Sequence, residues 1–184
     1  MTNSSSRLTD LNFIINRLNQ QFPTLLIMYS SDGGGNIVRA FRIQDYDAVV
    51  GLWRRTEGVG LNESDTRPAI AAYLRHNPRF SFVAERNGRI VGAVLCGHDG
   101  RRGYLHHLAV ARRHRQRGIG WQLVNACLAK LRQADIQKCN IFIFADNAAG
   151  MKFWTRTGWK LRKELRVMQI RLDEKRGSRN DCPC

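Results

Sequence analysis

Leu105-His106-His107-Leu108-Ala109-Val110 runs into the basic stretch Ala111-Arg112-Arg113-His114-Arg115-Gln116-Arg117, and Gly118-Ile119-Gly120 follows. This is the passage on which the fold turns. Tyr104 to Ala111 reads as a strand with apolar content on both faces. From Gly118 to Gln133, Ile119, Leu123, Val124, Cys127, Leu128 and Leu131 recur on one side of a helix. A strand, a glycine-punctuated loop and a helix N-terminus make an anion cradle. Glycine has no Cβ, so backbone N–H groups can come close to phosphate oxygens. The helix end adds unpaired donors and a partial positive charge. Arg112, Arg113, Arg115 and Arg117 supply full charges around it. Taken alone, the same residues also describe a solvated loop whose glycines only permit a turn; the strand–helix context favours the cradle. The loop is neither a Gly-x-x-x-x-Gly-Lys-Ser/Thr run nor a dinucleotide fingerprint with its three spaced glycines. The expected ligand is therefore a pyrophosphate other than a nucleoside triphosphate or nicotinamide dinucleotide.

Working outward, strands and helices alternate. Asn36 to Arg42 predicts a strand, Asp45 to Arg55 a helix, and Thr66 to His76 a second helix with Pro68 in its first turn. Phe80 to Glu85 and Arg89 to Gly97 read as strands joined by Asn87-Gly88, a tight-hairpin signal. Beyond the central helix, Asn140 to Ala145 predicts a buried strand and Asn147 to about Thr157 a short helix. A last strand is expected from Leu165 to Leu172, where Met168, Ile170 and Leu172 alternate with Gln169 and Arg171. No internal repeat is present. The pattern is that of one mixed α/β domain.

The chain has 184 residues, enough for a single domain with its own core. With 43% hydrophobic and 24% charged residues it has a globular profile. Lys+Arg 30 against Asp+Glu 15 gives +15, which suggests an anionic partner. In residues 1–36, Arg7 and Arg17 balance Asp10 and Asp32, so the excess lies in the rest of the chain. Those 36 residues read as an extension: a polar start, an amphipathic helix carrying Leu8, Leu11, Ile14, Ile15 and Leu18, a strand within Phe22 to Tyr29, and a joint at Ser31-Asp32-Gly33-Gly34-Gly35. The domain proper is expected over 37–174 and a basic tail over 175–184. No apolar run approaches the roughly 18 residues of a membrane span, and the N-terminus has no secretory pattern. Five cysteines, three of them inside apolar segments, exclude a disulfide scaffold and suit a reducing cytoplasm. In the tail, Cys182 and Cys184 lack the further ligands a tetrahedral metal site needs, so no metal is expected.

A second constellation lies downstream: Asp146-Asn147, Phe153-Trp154 and Gly158-Trp159. With Leu108 to Val110 and Arg115-x-x-Gly118-x-Gly120, it resembles the GNAT superfamily of N-acetyltransferases over roughly Ile37 to Leu172. The likeness is greatest to a bacterial branch near the ribosomal-protein N-terminal acetyltransferases. The resemblance implies a mixed central sheet with splayed parallel strands, flanked by helices. It also implies acetyl-CoA as donor and an amine as acceptor, and it admits a homodimer. The acetyl-CoA pyrophosphate would lie on the N–H groups of Gln116, Arg117, Gly118, Ile119 and Gly120, beside Arg115. The pantetheine arm would pair with the strand Leu108-Ala109-Val110, and a bulge there would splay it from Asn140 to Ala145. The Leu108 N–H would polarise the thioester carbonyl. Asn147 would contact the pantetheine, a role compatible with its position as a helix N-cap.

The acceptor amine begins as ammonium and must lose a proton before attack. His106, two residues before Leu108 and so expected on the same strand face, is the candidate base. A structural, hydrogen-bonded histidine is the alternative for it. Tyr104, two residues earlier, matches a position where some family members carry an acidic base. His107 is expected to face the other way and to be structural. Where the family often carries a tyrosine that protonates the leaving thiolate, this chain has Trp154, whose indole is no useful proton donor. The acid is then Tyr104 or water, or CoA leaves unassisted; Trp154 is still placed to pack on the pantetheine. Acceptor selection is expected from Thr56 to Arg67, with Glu57, Glu63 and Asp65, although a solvated loop with a helix-capping Asp65 explains those residues equally well. Asp99 is a further acceptor-side candidate.

Two other functions compete. The first is an acyl-CoA-binding protein of GNAT type without turnover, which Trp154 permits. The second is a nucleic-acid-binding module, motivated by the charge. Against it, Phe142, Phe144 and Trp154 fall in patterns read as buried and do not interleave with the arginines as a stacking platform requires.

Overall fold

The computed structural model describes residues 35–172. The helix and strand expected within residues 1–34 and the tail from 175 lie outside them. The described chain runs β1 (Ile37–Ala40), α1 (Tyr46–Arg54), α2 (Arg67–His76), β2 (Phe82–Arg86), β3 (Arg89–His98), β4 (Gly103–Val110), α3 (Ile119–Gln133), β5 (Cys139–Ile141) and α4 (Ala148–Arg156). Short 3₁₀ turns at Ile43–Asp45, Glu63–Asp65 and Arg112–His114 join them.

The five strands lie in sequence order, each antiparallel to the next except β4 and β5, which are parallel. Hairpin turns produce the antiparallel part. Asn87 and Gly88 both take positive φ between β2 and β3, the conformation that suits the twist of paired strands. The parallel pair needs a crossover, and α3 is that crossover. One core lies between the sheet and α3, where Ile119, Leu123, Val124, Cys127 and Leu131 are buried against Val94, Cys96 and Leu105. The other face packs Val49, Val50, Leu52 and Trp53 of α1 and Ile70 of α2 against Val83, Ala93, Leu95 and Ala109. The expected mixed sheet flanked by helices is present.

Two differences from the sequence reading occur at one edge. Asn140 to Ala145 is not a full strand. Pairing with β4 stops at Leu105 and Ile141, and residues 142–145 leave the sheet. Leu165 to Leu172 is not a strand either; it runs as coil, with Met168 95% and Leu172 89% exposed. Alternation signals a half-buried strand only when an edge exists to pair with, and β5 presents three residues. Phe142 and Phe144, read as buried, are 61% and 57% exposed, because the segment carrying them has peeled away from the core. Trp154 is buried as expected.

Candidate active site

The separation of β4 from residues 142–147 opens a cleft of about 910 Å³. Its cause is in β4. Ala93 pairs with Ala109 while Leu95 pairs with His106, so β4 carries one residue more than β3 over that interval. The extra residue is accommodated at His107, whose φ is +52°. A bulge of this kind bends the strand and ends regular pairing. It also resets the alternation of side chains. Leu105 packs towards α3, His106 and His107 both turn to the α1/α2 side, and Leu108 returns to the α3 side. His106 and Leu108 therefore do not share a face, and His107 does not oppose His106; a period-two reading fails across an inserted residue.

The backbone of β4 is directed accordingly. The Ala111 N–H donates to the Val91 carbonyl in β3 at 2.8 Å, so by alternation the main-chain groups of Val110 and Leu108 face the cleft. The Val110 carbonyl accepts from Arg115 Nε at 3.0 Å, which ties the basic loop back to the strand end.

In that loop Gln116 and Gly118 stand at φ +61° and +76°. The left-handed turn at Gly118 leads directly into α3, and nothing lies within 4 Å of where a Cβ would project. The first helical bond runs from Gln122 N to Gly118 O, which leaves the N–H groups of Ile119, Gly120 and Trp121 without helical partners. A Cβ on Gly120 would lie in contact with the Phe153 ring, 3.4 Å away, where α3 and α4 approach. Arg112, Arg113, Arg115 and Arg117 are exposed and take part in no ion pair among the described residues. Burial, and then repulsion from Arg113, Arg117 and Arg86, lowers the pKa of His114. Its Nδ1 is buried without a partner in the cleft lining. The cradle thus combines free main-chain donors and full positive charge, which suits a diphosphate.

The far wall is α4 and the segment before it. Asn147 caps α4, its Oδ1 accepting from Gly150 N at 2.8 Å. Trp154 sits between Phe153 and Trp159, ring centroids 5.1 and 4.9 Å away. The loop after α1 closes against this wall. A Cβ on Gly58 would lie 2.1 Å from Asn147 Nδ2, and one on Gly60 would lie 2.7 Å from the Phe144 ring.

At the β4 end, His106 lies among Tyr73, Tyr104 and Phe142, each ring centroid 6.3 Å away. Burial first, and the neighbouring His107 second, lower its pKa, which keeps the ring neutral near neutral pH. The Tyr104 hydroxyl donates to Asp99 Oδ2 at 3.2 Å. Backbone N–H groups of Arg102 and Arg101 hold the Asp99 carboxyl below its ordinary value. Asp65 is not the cap of α2, a position taken by Thr66. It is buried, and its Oδ1 lies 2.7 Å from His107 Nε2. This pair, and the contacts of Gly58 and Gly60, escaped sequence reasoning because the partners are 42 or more residues apart. Glu63 contacts Arg171 at 3.5 Å.

The acetyltransferase (GNAT) family description matches residues 46–159, a span that includes the bulged strand, the arginine-rich loop and the helix it opens. The chain belongs to the GNAT acetyltransferase family. An acetyltransferase of Sodalis glossinidius is 30% identical to this GNAT protein over 137 residues, 74% of this chain and 96% of that one. One of Pectobacterium atrosepticum is 37% identical over 112 residues, 61% and 79% of the two chains. The PaiA N-acetyltransferase from Thermoplasma acidophilum, solved in complex with coenzyme A, superposes with a TM-score of 0.63 at 14% identity, covering 70% of this chain and 91% of that one. At that identity the likeness speaks for the fold. No helix among the described residues is long and apolar enough to cross a membrane.

Proposed function

We propose that this GNAT acetyltransferase moves an acetyl group from acetyl-CoA to a primary amine by direct attack within a ternary complex. The separation of β4 from residues 142–147 beside the open N-terminus of α3 carries the reading. The diphosphate rests on the main chain of Gln116, Arg117, Gly118, Ile119 and Gly120, with Arg115 beside it. The pantetheine runs along Leu108, Ala109 and Val110, with Asn147 and Trp154 opposite. The Leu108 N–H, facing the cleft, donates to the thioester oxygen as negative charge develops there.

His106 takes the proton from the acceptor ammonium. Its neutral ring supports this, since an imidazole that is already protonated accepts nothing. The amine nitrogen then bonds to the thioester carbon, the C–S bond breaks, and CoA leaves as thiolate. Tyr104, on the acceptor side, or water returns a proton to the sulfur. The catalytic unit is taken as residues 37–174, in the cytoplasm, where Cys96, Cys127 and Cys139 stay free thiols. The exposed apolar side chains of Val167, Met168 and Leu172 support a homodimer, which sedimentation would reveal.

CoA release over a panel of peptides, amino acids, polyamines and aminoglycosides tests the transfer. Trp154 favours one second reading, binding of acyl-CoA without turnover; acetyl-CoA binding with no CoA release across the panel would establish it. Salt-dependent binding to random duplex with no thermal response to acetyl-CoA would overturn both in favour of nucleic-acid binding.

A further inference from the structure

We infer that Asp65 and His107 are positioning residues: their bond pins the β4 bulge and so aims the Leu108 N–H at the thioester carbonyl. The inference rests on the acetyl-CoA reading above. His107 holds a left-handed backbone, φ +52°, in the middle of a strand, where a side-chain-bearing residue needs external support. The support is present and converges from several elements. His107 Nε2 donates to Asp65 Oδ1 at 2.7 Å, with the two side chains 17% and 8% exposed. The other carboxylate oxygen accepts from Asn62 N at 2.9 Å, and the Asp65 carbonyl accepts from the Tyr46 hydroxyl at 2.8 Å. The carboxylate cannot swing away from His107 without also losing the Asn62 N–H, and the Tyr46 bond holds the backbone that carries it. The imidazole also packs on Trp53, which is fully buried, at a centroid distance of 5.0 Å.

The consequence lies one residue further on. Strand alternation has period two, so the inserted residue decides whether Leu108 faces β3 or the cleft. With His107 held in its left-handed conformation, Leu108 and Val110 face the cleft. If His107 returned to extended backbone, the register would slip and the Leu108 N–H would turn towards β3. Asp65 closes the loop that follows α1. The pair therefore fastens the acceptor-side loop to the strand that polarises the donor.

The test reads the thioester carbonyl of bound acetyl-CoA by infrared difference spectroscopy, using acetyl-CoA carrying ¹³C at that carbon. In the native protein the band is expected at lower frequency than in buffer. D65A and H107V, reaching the bulge from opposite sides, are expected to lose that displacement while the acetyl-CoA dissociation constant changes by no more than about threefold. H107Q is expected to restore it, because the glutamine Nε2 stands about where the imidazole Nε2 does and keeps an N–H donor for Asp65 Oδ1. An unchanged band in either variant that folds and binds acetyl-CoA overturns the inference. So does a band lost in H107Q as fully as in H107V, which would make the imidazole itself the active element. Failure of the native protein to bind acetyl-CoA would instead overturn the proposed function.

Discussion

Gly118 is favoured by its backbone conformation, and it stands where the proposed diphosphate would lie. Its φ of +76° disfavours any Cβ by roughly 1–2 kcal/mol, and the space where a Cβ would stand is open. Gly118→Asp is therefore expected to fold and to weaken acetyl-CoA binding tenfold or more, since it puts a carboxylate into an anion cradle; calorimetry measures it. His106 makes the second prediction at this scale. His106→Ala should cut kcat about 10²-fold or more, the usual worth of a general base, with little change in acetyl-CoA affinity. The direction of its pKa shift fixes the pH profile. A histidine with a lowered pKa keeps its neutral form below the ordinary value near 6.5, so the acid limb of kcat/KM should fall only below that pH. The same shift means that the unfolded chain binds this proton more readily than the folded one. The contribution to stability is complete above about 6.5 and is lost as pH falls through the lower folded value. An acid limb above 6.5, or a profile unchanged in the alanine variant, would remove His106 as base.

Among elements, β4 and the loop after α1 define the cleft. Gly58 has φ +76° and leaves no room beside Asn147, so Gly58→Val should destabilise the fold by more than the roughly 1–2 kcal/mol of the backbone term and displace Asn147. Thermal unfolding and acetyl-CoA affinity should both fall; an unaltered affinity would place the loop outside the donor site. Leu123 is fully buried between α3 and the sheet. Leu123→Ala should cost about 2–5 kcal/mol in denaturant unfolding. Most elements were legible from local pattern: the Asn87-Gly88 hairpin, the amphipathic face of α3 and Pro68 in the first turn of α2 each carry their own cause. The β5 edge was not. The apolar run of 142–145 and the alternation of 165–172 report a preference for strand, while pairing depends on an available neighbouring edge, and β5 presents only three residues.

For the molecule as a whole, the charge of +15 acts as a field. The loop arginines are exposed and screened by salt. Between about 0.1 M and 1 M salt the Debye length falls from about 10 Å to about 3 Å, so acetyl-CoA affinity should weaken several-fold. Salt-independent affinity would mean that main-chain donors alone hold the diphosphate. The family, the glycine-punctuated basic loop opening α3 and the α/β class were present in the sequence, because each rests on residues close together in the chain. A loop followed by a helix makes its own phosphate seat, and periodicity states which face is buried. The direction of His106, the cleft-facing turn of Leu108 and the Asp65–His107 bond were decided only in three dimensions. One inserted residue in β4 shifts every later side chain to the opposite face, and whether a strand bulges depends on what its neighbours and distant partners hold in place.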